Sequence, residues 1–152
     1  MGSDLSSEKP EFNWESIEVG MVAGEREITL TPERVAAHLE GVEAGREWYR
    51  TGSPFGAPIA PPMIFINDVL EIIDENFRRF GTIHAKSGYR FHRPARIGER
   101  VYEKVVFKDL YVKRGKGWMV CEMTVTGEDG EPVATYLHTS VLSLTRKQED
   151  EK

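Results

Sequence analysis

Apolar residues recur every three or four positions between Met63 and Phe80, directly after a turn rich in glycine and proline. This spacing is typical of a helix that buries one face. Further apolar residues widen that face beyond a single stripe. The periodic positions are Ile66, Val69, Leu70, Ile73, Phe77 and Phe80, and the additional ones are Met63, Ile64, Phe65 and Ile72. The pattern therefore predicts one long buried helix at the centre of the fold, from Met63 to about Phe80.

After Gly81 the chain contains four strand-like runs and no further helical pattern. In the third run, apolar and polar side chains alternate, which is typical of a strand with one buried face. That face comprises Met119, Cys121, Met123 and Val125. Cys121 is therefore predicted to be a core residue rather than a nucleophile, because a reactive thiol needs an accessible, electropositive setting. Tight turns at Gly115–Gly117 and Glu128–Glu131 complete the pattern of an antiparallel sheet that wraps the helix.

The N-terminal part predicts a short strand followed by a capped helix. The strand is expected near Glu25–Leu30. Thr31 then offers a hydroxyl that can accept a backbone N–H, and Pro32 suits the first helical position, where an N–H has no partner. The helix is expected to run from Pro32 to about Val42, and Glu47–Arg50 to form one more turn. Together with the later strands, these elements predict the α+β class.

The length, charge and cysteine content of the chain narrow its class. Its 152 residues suit one domain, which we expect over 11–146, with a flexible N-terminus over 1–10 and a charged tail over 147–152. A net charge of -5 with short, interrupted basic clusters argues against a nucleic-acid surface. No apolar run is long enough to cross a bilayer. The lone cysteine excludes an internal disulfide, so we expect a cytoplasmic protein. From its charge and its lack of a long apolar run, we expect it to bind neither nucleic acid nor membrane.

Three features in order carry a resemblance to a known family: the segment FGAPIAPPM, the long apolar helix, and the segment HAKSGYRFHRPARIGERV followed by long strands. Together they resemble the MaoC-like hydratase/dehydratase family over about Trp14 to Thr145. The resemblance implies a hot-dog fold, in which a curved antiparallel sheet wraps one long central helix. It also implies reversible hydration of a 2-enoyl thioester such as an acyl-CoA, in a tunnel at the interface of a dimer.

Two departures from the family's pattern concern the reacting groups. Family members that hydrate enoyl thioesters carry an Asp-x-Asn-Pro-x-His segment after the first helix, whose Asp and His activate a water. The loop at that place here has no such pair, and its acids are Glu43 and Glu47. Where the family has a glycine N–H that polarises the thioester carbonyl, this chain has Pro62, which has no N–H. The Pro61–Pro62 pair resembles the half of two-part MaoC-like proteins that shapes the acyl pocket without catalysing.

The resemblance places the candidate site around the turn before the central helix. As catalytic candidates we take His84, Glu43 and Glu47, in place of the missing pair. The substrate-binding candidates are Tyr49, Phe55, Gly56, Ala60, Pro62, Met63, His92 and Arg93. Arg93 could bind a coenzyme A phosphate through its guanidinium, or it could simply be solvated. Tyr49 could contact substrate or pack on its own loop. The four histidines lack metal-ligand spacing, so we predict no metal and no cofactor.

Three functions remain open at this point. The first is a dimeric hot-dog protein that binds an acyl thioester and is related to enoyl-CoA hydratases and 3-hydroxyacyl-CoA dehydratases. The second is a catalytically silent subunit that pairs with an active MaoC-like chain and sets acyl-chain selectivity. The third is a hot-dog thioesterase with Glu43 or Glu47 as the base, which requires that this acid reach the pocket.

Overall fold

The computed structural model describes residues 9–142. Short 3-10 turns at Glu47–Tyr49 and Pro62–Phe65 lie between its two helices. The helices and strands are β1 (Val22–Thr29), α1 (Pro32–Gly41), α2 (Asp68–Asn76), β2 (Ile83–Phe91), β3 (Arg100–Lys113), β4 (Lys116–Gly127) and β5 (Pro132–Leu142). The predictions for residues 1–8 and for the tail 147–152 fall outside the described residues, so the domain bounds stay a prediction.

The five strands form one antiparallel sheet in the order β1-β3-β4-β5-β2. β3, β4 and β5 are joined by hairpins, and the β3–β4 turn consists of Arg114 and Gly115, one residue earlier than predicted. β2 follows α2 in the chain and lies at the edge of the sheet beside β5. The predicted antiparallel sheet after Gly81 is therefore confirmed, and among residues 9–142 no strand pairs with the outer side of β2.

The core lies between α2 and one face of the sheet. The predicted alternation in β4 is confirmed, because the side chains of Met119, Cys121, Met123 and Val125 are all buried. Burial raises the pKa of the Cys121 thiol to about 12, so this cysteine is a neutral core residue as predicted. We call this side the concave face of the sheet, and the opposite side the convex face.

The central helix is shorter than the sequence predicts. The 3-10 turn Pro62–Phe65 precedes α2, which runs only from Asp68 to Asn76. The two residues between these segments keep helical backbone angles, so the path is continuous although its hydrogen bonding changes. A helix does lie where predicted, but its continuous extent to Phe80 is wrong.

α2 ends at Asn76. The side-chain amide of Asn76 donates to the carbonyl of Ile72 at 3.0 Å, and Phe77 then adopts an extended backbone. The backbone N–H of Phe77 closes the last turn on the carbonyl of Ile73, and the extended backbone at Phe77 ends the helix. Phe77 still reaches the core, but Phe80, which was predicted to be buried with it, is 63% exposed.

The start of the chain agrees more closely with its pattern. Thr31 caps α1 as predicted, since its hydroxyl accepts from the backbone N–H of Arg34 at 3.2 Å, and Pro32 lies in the first turn. Val35 and Leu39 bury the inner side of this helix. β1 occupies Val22–Thr29 and therefore begins three residues before the predicted strand.

Four charged side chains fasten the start of α2 to its neighbours. Asp68 is buried and accepts from the guanidinium of Arg34 on α1 at 2.7 and 2.8 Å. Glu103 on β3 is buried as well and accepts from Nε of Arg26 on β1 at 3.0 Å. The Arg26 guanidinium lies 3.6 Å from the Asp68 carboxylate. This buried charge cluster joins the central helix to α1 and to two strands, and it leaves Oε2 of Glu103 without a hydrogen-bond partner among the described residues.

Gly24 lets β1 approach α2 closely. A Cβ atom at Gly24 would lie 2.5 Å from Nδ2 of Asn76 and 2.7 Å from Cγ2 of Ile72. Both distances are shorter than van der Waals contact, and Ile72 is fully buried. The helix therefore packs directly on the backbone of the strand at this point.

Gly24→Ala is expected to lower the free energy of unfolding by about 1–3 kcal/mol, because the added methyl displaces Ile72 and Asn76 in a packed core. The control is Gly41→Ala at the end of α1, where a Cβ atom would meet nothing within 4 Å. That control should be neutral or slightly stabilising. Denaturant unfolding of both variants checks the expectation, and an unchanged stability for Gly24→Ala would contradict the close packing.

Candidate functional site

A cavity of about 510 Å³ opens between the turn that precedes α2 and the β2–β5 edge of the sheet. We call it the main cavity. Its apolar lining consists of Phe55, Ile59, Ala60, Pro61, Pro62, Phe65, Phe91, Pro94, Ala95, Val133, Ala134 and Tyr136. The polar residues that line it are His92, Arg93, Arg96, Glu99 and Asp129. This volume and this mainly apolar lining are typical of small-molecule sites.

Tyr136 links the sheet to the turn before α2. It is fully buried, and its hydroxyl donates a hydrogen bond to the carbonyl of Pro62 at 2.5 Å. Burial, together with the carboxyl groups of Asp68 and Glu103, raises the pKa of Tyr136 above its usual range. The phenol therefore keeps its proton and holds the turn in place, while Pro62 itself offers no N–H to a ligand.

The open side of the main cavity is aromatic. Tyr89 and Phe91 on β2 stack with ring centroids 6.3 Å apart, and each meets the ring of Tyr136 edge-on, at 5.7 and 6.2 Å. Their side chains stay 41% and 47% exposed. The cavity wall thus continues into an uncovered apolar strip on the concave face of the edge strand.

An ion cluster shapes the rim of the main cavity. The Arg93 guanidinium contacts Glu99 at 2.5 Å and Asp129 at 3.2 Å, and it also donates to the carbonyl of Pro94. It crosses the backbone at Gly127, where a Cβ atom would lie 1.9 Å from Nη2 of Arg93. Arg93 therefore neutralises two carboxylates of its own chain and fixes the rim.

The three catalytic candidates lie apart from the main cavity. Glu43 and Glu47 are exposed, and neither is among the residues that line this cavity. Glu43 lines a second, more open cavity between α1 and the following loop, together with Tyr49. His84 lies on β2, where it contacts Ser87 and His138 instead. No contact among the described residues joins His84 to either glutamate.

Five of the eight substrate-binding candidates line the main cavity, namely Phe55, Ala60, Pro62, His92 and Arg93. Tyr49 lines the second cavity. Gly56, which has a positive φ of 94°, and Met63, which is half-buried in the 3-10 turn, line neither. The roles of all eight stay predictions.

A pair of histidines lies further along the β2–β5 edge. The rings of His84 and His138 are 4.3 Å apart, and each Nε2 is within hydrogen-bonding distance of a serine hydroxyl, Ser87 at 2.6 Å and Ser140 at 2.7 Å. The side chain of His138 is buried. Burial, then the proximity of His84 and Arg79, lowers the pKa of His138 to about 4. His138 is thus a neutral side chain at neutral pH.

Three residues that matter to the site were not predicted: Tyr136, Asp68 and Glu103. Alternation in β3 could have identified Glu103, because it occupies an inward position between the buried Val101 and Val105. Burial and the proximity of Asp68 raise the pKa of Glu103. No pattern in the sequence indicates the contact between Tyr136 and Pro62, because these residues are 74 positions apart.

Residues 9–142 contain no group of three or more His, Cys, Asp or Glu side chains arranged to hold a metal ion. Within the same range, no helix is both long enough and apolar enough to span a membrane.

Solved structures with the same architecture define the fold class. An Archaeoglobus monoamine oxidase regulatory protein has a TM-score of 0.76 and 20% identity, covering 90% of this chain and 97% of its own. The R-hydratase PhaJ1 of Pseudomonas aeruginosa has a TM-score of 0.74 and 16% identity, covering 89% and 88%. The HadBC 3R-hydroxyacyl-ACP dehydratase complex of Mycobacterium tuberculosis has a TM-score of 0.69 and 17% identity, covering 83% and 98%. The antiparallel sheet with its central helix is therefore a hot-dog fold, as predicted.

The sequence itself establishes the family. Residues 18–136 match the family model described as FAS1-like, dehydratase domain region. The chain therefore belongs to this dehydratase family, in agreement with its resemblance to MaoC-like proteins. No curated protein matches the sequence.

His138→Asn is expected to flatten the pH dependence of stability below neutral pH. In the folded chain His138 resists protonation, whereas in the unfolded chain it binds a proton near its ordinary pKa of about 6.5. The stability that this histidine supplies is therefore complete above about pH 6.5 and is lost as the pH falls towards 4. With allowance for solvent screening, the loss at pH 5 is about 1–2 kcal/mol.

Denaturant unfolding at pH 7 and pH 5 checks this expectation. The exposed His92, mutated as His92→Asn, is the control and should keep the wild-type difference between the two pH values. Equal differences for wild type and His138→Asn would contradict the expected role of the buried imidazole.

Proposed function

We propose that the main cavity binds the acyl part of a thioester, most simply an acyl-CoA, and that the chain serves hydratase/dehydratase chemistry chiefly as a substrate-binding subunit. The observation that carries the proposal is the apolar cavity beside the start of α2 in a chain of the dehydratase family. On the lone buried cysteine, we propose a reducing compartment, the cytoplasm.

The shape and lining of the cavity favour an acyl chain as its occupant. Ala60 and Pro61 leave space between Phe65 and the aromatic wall around Phe91, and a ligand would replace water there by contact with apolar surface. Phe55 stands at the cavity with 56% of its side chain exposed, so a bound chain could cover it. The polar rim would then face the carrier part of the thioester.

The polar groups at the cavity favour binding over water activation. Arg93, Glu99 and Asp129 bind one another, and the Tyr136 hydroxyl is committed to the Pro62 carbonyl. Hydration needs an acid and a base that share one water, and the family's pair is missing from the loop after α1. We therefore prefer the silent or weakly active subunit to a complete hydratase.

The thioesterase alternative has less support. It requires Glu43 or Glu47 to act as the base on a water beside the thioester carbonyl. Both side chains are exposed, and neither lines the main cavity. The second cavity, which Glu43 does line, has Tyr49 and Arg50 at its edge but is more open, so it retains water that a reacting site excludes.

We further propose that a second subunit completes the cavity, either another copy of this chain or an active MaoC-like chain. In the described part of the chain, no strand pairs with the outer side of the edge strand β2, and its aromatic strip lies open beside the cavity. The HadBC dehydratase, which shares this fold, is a complex. A partner strand on β2 would cover Tyr89 and Phe91 and close the open wall.

Saturating acyl-CoA is expected to raise the melting temperature of the protein, because a ligand that binds only the folded state stabilises it. At an acyl-CoA concentration one hundred times the dissociation constant, the gain in the free energy of unfolding is about 2.7 kcal/mol, which corresponds to roughly 5–10 °C for a chain of this size.

Phe55→Ala should weaken the binding of acyl-CoA about tenfold. The exposed Val112, on the distant β3–β4 hairpin, provides the control Val112→Ala, which should leave binding unchanged. If neither crotonyl-CoA nor longer acyl-CoAs shift the melting temperature, the thioester proposal fails.

A further inference from the structure

The free edge strand β2 has two chemically different faces. Its concave face carries Tyr89 and Phe91, which pack beside Tyr136. Its convex face carries Lys86 and Arg90, which pair in register with threonines on the convex face of β5. The concave face therefore attracts an apolar cover, while the convex face is positively charged.

The charge on the convex face has no neutralising partner among residues 9–142. Lys86 and Arg90 are both exposed, and neither has a carboxylate within 4 Å in the described part of the chain. β2 itself contains no acidic residue. The neighbouring strand β5 contains no acidic residue, and the one in β4, Glu122, pairs with Lys108 at 3.4 Å.

Pairing of β2 with a second copy of itself would bring these charges together. Directly opposed residues of antiparallel strands point to the same face, so both copies of Lys86 and Arg90 would lie on one surface. The two residues are separated by only one outward-pointing position, Gly88, which has no side chain. Four cations would thus share a short stretch of the joined sheet in any register centred within β2, and like charges at such positions destabilise pairing.

The chain does offer one acidic edge, but it fits this role poorly. β1, at the opposite edge of the sheet, carries Glu25 and Glu27. A β2–β1 contact between copies joins different surfaces and would propagate into an open chain of molecules. The concave side of β1 is already covered by α2, which packs against Gly24, so no apolar group is left there to cover Tyr89 and Phe91.

We propose that β2 selects a different chain as its partner: a second hot-dog subunit whose edge strand is apolar on its concave face and acidic on its convex face. Lys86 and Arg90 are the residues that discriminate, since they attract such a strand and repel a second copy. This inference rests on the proposed function, in which a second subunit completes the cavity. It adds that this subunit is a different chain and that the convex face of its edge strand is acidic.

A charge-reversed copy of the chain serves as the acidic partner in the test. Lys86→Glu/Arg90→Glu is mixed with wild type, and the mass of each protein alone and of the equimolar mixture is measured by sedimentation at micromolar concentration. Wild type and variant should each be mainly monomeric, and the mixture should associate at least about tenfold more tightly, through opposite charges across the joined strands. The gain should shrink in 1 M salt, where charges are screened within about 3 Å.

Two further variants keep the result interpretable. Lys113→Glu/Lys116→Glu makes the same charge change on the exposed β3–β4 hairpin, and mixing it with wild type should produce no dimer. Lys86→Gln/Arg90→Gln removes the repulsion without adding attraction, and it should self-associate more strongly than wild type, which tests the proposal even if the charge-reversed chain folds poorly.

The proposal would be overturned if wild type forms a stable dimer whose association does not depend on salt and if mixing with the charge-reversed variant produces no tighter association. A wild-type mass that rises with concentration beyond the mass of a dimer would also overturn the proposal, because β2 would then pair with the β1 edge of another copy. These readouts measure association alone. Loss of the acyl-CoA melting shift with intact hetero-association would contradict the proposed function and leave this inference standing.

Discussion

The pairing of buried charges at the start of α2 is the constraint on which the rest of the structure depends. Asp68 and Glu103 are both removed from water, and each contacts a guanidinium group, Asp68 that of Arg34 and Glu103 that of Arg26. Their pairing fixes the helix start relative to α1, β1 and β3. That position in turn puts the Pro62 carbonyl within reach of the Tyr136 hydroxyl, and the space left beside this contact is the main cavity.

The same arrangement bears on the proposal that the chain binds an acyl thioester without the reacting groups of active hydratases. Two consecutive prolines make the turn rigid and remove a backbone donor, and the remaining carbonyl is bound by Tyr136. The apolar walls do not depend on that donor, because they come from Phe65 and from the ends of β2 and β5. The cavity therefore does not depend on a backbone donor at Pro62, which is what the proposed acyl-binding subunit requires.

The sequence predicted the elements well and their long-range contacts poorly. Alternation correctly placed Cys121 in the core, and the Thr31 cap was read correctly, because both depend on neighbouring residues. Periodicity extended the central helix to Phe80, since counting apolar positions does not detect that the backbone becomes extended at Phe77. His84 was chosen as a catalytic candidate for its place in the chain, but its neighbours were set by the β2–β5 register, which cannot be read from one strand alone.

Equilibrium dialysis of the isolated chain against crotonyl-CoA, with the recovered thioester identified by mass spectrometry, tests binding without hydration in one sample. The account predicts that the ligand concentrates on the protein side and is recovered chiefly as crotonyl-CoA. Retention should fall with Phe55→Ala, because that side chain lines the cavity. No retention, or recovery as the 3-hydroxyacyl thioester at an ordinary enzymatic rate of about 1–1000 per second, would contradict it.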